Sequence, residues 1–103
     1  MSERERDERT GEAWKAHYAG NQQLAIDQFL VIVREAPEDI DANWGLALSY
    51  RDAGQRDKAV EIFTTVRDLV TRQLEASPDD YERFFMLKRM VNQQIEQMGQ
   101  FIR

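Results

Sequence analysis

The sequence has 103 residues, of which 42% are hydrophobic and 32% charged, and it carries a formal net charge of −5. This length fits one domain, and the balance of apolar and charged residues allows a packed core. An acidic surface repels nucleic-acid phosphates, so we expect no nucleic-acid partner. The sequence contains no cysteine, which leaves no disulfide, thiol chemistry or thiolate metal site to consider.

The sequence offers no candidate membrane segment. The longest apolar run, residues 29–33, is far shorter than the roughly 20 residues that span a bilayer. The charged start, residues 1–9, lacks the apolar centre of a signal peptide. We therefore expect a cytoplasmic protein that makes no membrane contact.

The residue types predict an all-α fold, because helix-favouring Ala, Leu, Glu, Gln and Arg are abundant and there are only two prolines. In chain order, the spacing of apolar residues predicts helices over about 8–19, 22–36, 40–53, 56–76 and 79–101. The charges of alternating sign in residues 3–9 predict a solvated or frayed start. Gly20 and Gly54 are expected to end the first and third helices in the left-handed conformation.

Six positions recur in the same order, at one fixed offset, further along the chain. They are Ala13, Gly20, Ala25, Ile26, Phe29 and Ile32, which recur as Ala47, Gly54, Ala59, Val60, Phe63 and Val66. A fixed offset of this kind is typical of a stacked structural repeat. The alanines allow paired helices to approach closely, and the phenylalanines fill the space between successive layers.

These residues resemble the tetratricopeptide repeat family. The resemblance rests on the 34-residue period and two sets of residues: Ala13, Gly20, Ala25, Phe29 and Pro37, then Ala47, Tyr50, Gly54, Ala59 and Phe63. Glu12 and Ala16 depart from the large apolar and aromatic residues that the family often has there. The resemblance implies an α-α superhelix of two antiparallel helical hairpins, followed by a long C-terminal helix.

We assign residues 1–103 to one domain on this basis. Its parts are a first repeat over about 7–37, a second repeat over about 40–76 and a capping helix over about 79–101. The second helix of the second repeat runs on to Ser77, about seven residues further than its counterpart, which predicts two extra helical turns.

The resemblance also implies that the first helix of each repeat lines a concave groove that binds a peptide or helix of a partner protein with apolar side chains. The groove residues predicted in this way are Trp14, His17, Trp44, Leu48, Arg51, Phe85 and Arg89. The lysine and asparagine with which some family members hold a terminal carboxylate are missing. The alternative is that each aromatic residue fills the core instead.

Two further hypotheses concern the last helix and the single histidine. The stripe Phe84, Leu87, Val91, Ile95, Met98 and Ile102 packs in the core or, if the helix projects, leaves Met98, Phe101 and Ile102 free to form a homodimer. His17 as a catalytic residue lacks an adjacent nucleophile in sequence. With no paired His or Cys ligands, we expect no metal, no cofactor and no catalytic residue.

Overall fold

The structure is a computed structural model that describes residues 1–100, and within this range it is helical without a β-strand. The prediction of an all-α fold is confirmed. The helices are α1 (Glu3–Tyr18), α2 (Gln22–Glu35), α3 (Ile40–Asp52), α4 (Arg56–Ala76) and α5 (Tyr81–Gln100). A short 3₁₀ turn, Pro78–Asp80, joins α4 to α5.

The first helix begins earlier than the predicted residue 8, because its N-terminus is capped. The Ser2 hydroxyl accepts a hydrogen bond from the Glu5 backbone N–H at 3.1 Å. Glu3 and Glu5 also place carboxylates in the first turn, where the helix dipole favours negative charge. The charged start is therefore helical and mostly exposed, so the prediction of a solvated start is confirmed and the frayed alternative is wrong.

Two glycines make the tight turns between paired helices. Gly20, between α1 and α2, has φ +85°, and Gly54, between α3 and α4, has φ +80°. Both values lie in the left-handed region that side chains disfavour, as the sequence predicted. Each turn is short, so α1 packs along α2 and α3 along α4 as antiparallel hairpins.

We expect Gly54→Ala to lower the free energy of unfolding by about 1 kcal/mol, because alanine at this φ brings its Cβ close to the following carbonyl. No atom lies within 4 Å of the position of that Cβ, so the loss comes from the backbone alone. Urea denaturation followed by circular dichroism measures it. The corresponding Gly20→Ala variant should lose a similar amount, and a gain in stability in both would contradict this account.

Five of the six repeated positions have the same burial in both hairpins, and the exception is Ile26, which is buried where Val60 is half-buried. The side chains of Ala13, Ala47, Ala25, Ala59, Phe29 and Phe63 are all 0% exposed. The two hairpins stack through α2 and α3, with α1 also contacting α3. The fixed offset in the sequence therefore corresponds to the same packing environment in each hairpin.

The equivalence ends on one face of α1. Four buried residues on one face of α3 have exposed counterparts one repeat earlier. The pairs are Ala42 with Glu8, Gly45 with Gly11, Leu46 with Glu12, and Ser49 with Lys15. In α3 these positions face the preceding hairpin, as the approach of Phe29 to Gly45 shows. Glu12 thus departs from the repeat pattern because its side of α1 faces solvent, where a stacked array needs polar residues.

The second hairpin has a longer outer helix. Helix α4 has 21 residues and α2 has 14, which confirms the predicted two extra turns. Helix α5 packs against α4. The α5 residues Phe84, Val91 and Met98 are at most 8% exposed and join the single hydrophobic core. Leu87 and Ile95 pack against this core, so the prediction that the α5 stripe belongs to the core is confirmed for its described residues.

Across residues 1–100, none of the helices combines the length with the apolar character that crossing a membrane requires.

Candidate functional site

An open cleft lies between the start of α3, the second half of α4 and the start of α5. We call it the α3–α5 cleft. Its volume is about 390 Å³, and its lining residues are Glu38, Asp39, Ile40, Asp41, Trp44, Gln73, Arg83, Phe84 and Leu87. Helices α3 and α5 both pack on α4 and make no close backbone contact with each other in the described residues. The cleft exists because α4 separates these two helices.

The apolar part of the cleft is supported by the core. Trp44 is half-buried, and its ring meets the edge of Phe63 with 5.6 Å between ring centroids. Phe63 is 0% exposed, so the position of the indole is set from beneath. Phe84 and Leu87 complete the opposite wall. An indole fixed in this way can form a rigid contact for an apolar side chain.

The α3 wall continues past the cleft. Leu48 is half-buried one turn beyond Trp44, on the same face of α3. Arg51 follows, and its guanidinium donates a hydrogen bond of 2.9 Å to Oε1 of Gln94 on α5. Arg51 also pairs with Asp52 at 2.8 Å. Its side chain therefore bridges α3 and α5 and closes this end of the groove, whereas the sequence predicted a direct ligand contact.

Acidic residues outnumber basic ones among the described residues that line the cleft. Glu38 is 79% exposed and lies 3.5 Å from Arg72, and Asp39 caps α3 through its bond to the Ala42 N–H. Asp41 accepts a hydrogen bond of 3.1 Å from the Trp14 indole. Among the described residues that line the cleft, Arg83 is the only cation, but Asp39 also lies 3.7 Å from Arg6, which is outside the lining. Exposed ion pairs such as Glu38–Arg72 are weak, so the surface carboxylates of Glu38 and Asp41 can still meet a ligand with positive charge near its apolar group.

Phe85 and Arg89 lie away from the groove, contrary to the predicted set. Gln94 and Leu87 mark the groove side of α5, because Gln94 bonds to Arg51 and Leu87 lines the cleft. Phe85 precedes Gln94 by nine residues, which is about half a turn around the helix. The prediction failed because the face that α5 turns toward α3 depends on how α5 packs against α4, which an offset in the sequence does not determine.

Trp14 and His17 lie where α1 meets α2 and α3. The Trp14 ring contacts the edge of Phe29 at a centroid distance of 5.2 Å and stacks with Tyr18 at 5.8 Å. Trp14 is half-buried, and Tyr18 is 79% exposed. The Trp14 side chain therefore packs against the core through Phe29 and is partly exposed beside Tyr18, at the edge of the concave face. His17 is only 8% exposed, which leaves little of its ring for a ligand.

The surroundings of His17 do not suit nucleophilic catalysis. The Gln22 amide donates to the His17 carbonyl at 3.0 Å, so its Oε1, 2.7 Å from Nδ1, accepts the Nδ1 proton. Ser49 Oγ lies 3.3 Å from this same protonated nitrogen. A serine nucleophile needs an unprotonated nitrogen beside it, and Ser49 is also 0% exposed. The cluster instead joins α1 to α3 by polar contacts.

The predicted self-association residues are not available as a group. Met98 is 5% exposed and belongs to the core, because α5 packs along α4 up to this position. Phe101 and Ile102 lie outside the described residues. Exposed apolar side chains occur instead near the start of α5, and these are Tyr81, Phe85, Met86 and Met90.

Of the seven predicted groove residues, the α3–α5 cleft contains Trp44 alone, and the structure adds residues that sequence reasoning did not select. Arg83, Phe84 and Leu87 come from α5, Gln73 from α4, and Gln94 completes the bridge to Arg51. Their spacing in the sequence shows which of them share a face of α5. It does not show which face meets α3, because that depends on how α5 rotates against α4.

No protein-family model, curated protein or solved structure matches the chain. Within residues 1–100, no three His, Cys, Asp or Glu side chains are grouped closely enough to hold a metal ion.

Proposed function

We propose that this chain is a non-catalytic, tetratricopeptide-like interaction module that binds a peptide or helix of a partner protein. The observation that carries the proposal is the α3–α5 cleft, in which Trp44, Phe84 and Leu87 form an apolar surface of about the size of one or two side chains. Small clefts lined by a rigid aromatic residue are typical of the anchor sites of protein interfaces. We expect the module to act in the cytoplasm.

The chemistry of the cleft specifies the ligand further. An apolar side chain fits against Trp44, and a lysine or arginine beside it meets the carboxylates of Glu38 and Asp41 at the rim. Glu38 and Asp41 lie at the protein surface, so their charges act mainly on association rate and selectivity. The partner segment is therefore an apolar and basic one.

Selection from a random peptide library tests the proposal, with Trp44→Ala used for counter-selection. We expect the selected peptides to combine an apolar residue with Lys or Arg and to bind Trp44→Ala about 30-fold more weakly. Leu24→Ala is the matched control, because Leu24 is 43% exposed on α2, away from the cleft. It should leave the dissociation constant unchanged in a fluorescence anisotropy titration.

A second variant separates lost binding from lost folding. Arg83 is exposed, so Arg83→Glu should leave the fold intact and add negative charge to the rim. The same basic peptides should bind it about threefold more tightly at low salt. Peptides that bind Trp44→Ala as well as the wild type, or that bind Arg83→Glu more weakly, would count against this site.

A further inference from the structure

The first half of α5 has an exposed face on the side away from the groove. Tyr81 is 52% and Phe85 42% exposed, and their rings stack with 5.6 Å between centroids. Glu82, Lys88 and Arg89 lie on the same side, at spacings of three, four and seven residues from these rings. Among the described residues, α5 packs against α4 and the 3₁₀ turn and meets α3 through the Arg51–Gln94 bond on the groove side, so this face is uncovered.

We propose that this face binds the same face of a second copy of the chain, with the two α5 helices antiparallel. The inference is independent of the proposed peptide binding, because Phe85 and the groove lie on opposite sides of α5. A two-fold axis makes a contact of this type isologous, so each residue must be compatible with its symmetry counterpart.

The order of residues along α5 is self-complementary under such an axis. With the axis between residues 85 and 86, Phe85 lies next to Phe85 of the second copy, at the centre of the contact. Glu82 then lies opposite the second copy's Arg89, because both are the same number of residues from the axis. Symmetry repeats this pair, so the contact contains two Glu82–Arg89 ion pairs.

The residues on the other side of Phe85 are also compatible with this two-fold axis. Tyr81 falls within reach of the second copy's Lys88, an arrangement that suits a cation–π contact. Within residues 81–89 the face carries Glu82 against Lys88 and Arg89, so it lacks the excess of negative charge that the whole chain has. The arrangement places Arg89 opposite Glu82 and Lys88 near Tyr81 of the second copy, so it does not bring like charges directly against each other.

The contact is small. Residues 81–89 span roughly 13 Å of helix, so the face falls short of the ~800 Å² per partner that stable complexes bury. We therefore expect a weak dimer that forms in the micromolar range and dissociates on dilution.

Reciprocal charge reversal tests the pairing, measured by sedimentation equilibrium from about 1 μM to about 1 mM protein. Glu82→Arg alone places the new guanidinium opposite Arg89 of the second copy, and Arg89→Glu alone places the new carboxylate opposite Glu82. Symmetry makes each repulsion occur twice, so each single variant should raise the dimer dissociation constant about tenfold. The double variant restores opposite charges and should return to within about threefold of the wild type.

The exposure of both residues keeps these variants interpretable, and circular dichroism and thermal melting confirm their folding. Trp44→Ala, which changes the other side of the molecule, should leave the dimer constant unchanged. A wild type that stays monomeric over the whole range overturns the inference. A double variant no better than the single variants also overturns it, because the Glu82–Arg89 pairing would then be absent.

Discussion

Replacing Gly45 with alanine should lower the free energy of unfolding by about 1–3 kcal/mol, whereas the same change in an ordinary helix raises it. A Cβ at Gly45 would lie 2.3 Å from Cζ, 2.6 Å from Cε1 and 2.8 Å from Cε2 of the Phe29 ring. Phe29 is 0% exposed and contacts Trp14, so its ring has no free space to enter. The α2–α3 contact must open instead.

Gly11 provides the matched control for this variant. It lies in the middle of α1, at the position of the first repeat that corresponds to Gly45, and has no atom within 4 Å of the position of its Cβ. Gly11→Ala should therefore stabilise the protein by about 0.5–1 kcal/mol through helix propensity. Chemical denaturation measures both variants, and a Gly45→Ala protein as stable as the wild type would contradict the close packing of α2 on α3.

A double variant identifies the cause of the loss. Phe29→Leu removes the ring atoms that the new Cβ would meet, at the cost of a partly emptied core position. Gly45→Ala combined with Phe29→Leu should therefore lose less stability than the two single variants added together. Strict additivity would show that Gly45→Ala acts through something other than this ring.

Phe63→Ala should lower the free energy of unfolding by about 3–5 kcal/mol, the largest effect we expect from one substitution. Phe63 is 0% exposed and supports Trp44 from below, so its removal leaves a cavity under the cleft. Small domains have only about 5–15 kcal/mol of stability, so a large part of the population is expected to unfold. Urea denaturation at low temperature measures the loss.

Phe85→Ala is the control, because it makes the same substitution at an exposed position. Phe85 is 42% exposed at the surface of α5, and the loss of its ring should change stability by no more than about 0.5 kcal/mol at low protein concentration. A milder core variant, Phe63→Leu, keeps the protein folded and tests the link to the cleft. It should weaken peptide binding although Phe63 is not a lining residue, and unchanged binding would mean that Trp44 holds its position without this support.

Local features of the sequence were enough to predict the helices and their turns. Gly20 and Gly54 adopt the left-handed conformation, and the alanines and phenylalanines that recur at the repeat offset are buried in both hairpins. These outcomes depend on backbone preference and on the periodic placement of apolar residues, both of which act over one or two helical turns. The early start of α1 was also readable, because Ser2 and the acids after it form a capping sequence.

The site depended on contacts between helices that the sequence leaves open. Trp44 was predicted from its place in the repeat and lies in the cleft, but Phe85 and Arg89 were assigned to a face that α5 turns away from α3. The rotation of α5 about its own axis is set by the packing of Phe84, Val91 and Met98 against the longer α4. The sequence alone thus determined which segments become helices and which stripes are apolar, because these follow from short-range periodicity. Only the tertiary structure decided that α3 and α5 enclose a cleft and that His17 is buried, because both depend on packing between residues far apart in the chain.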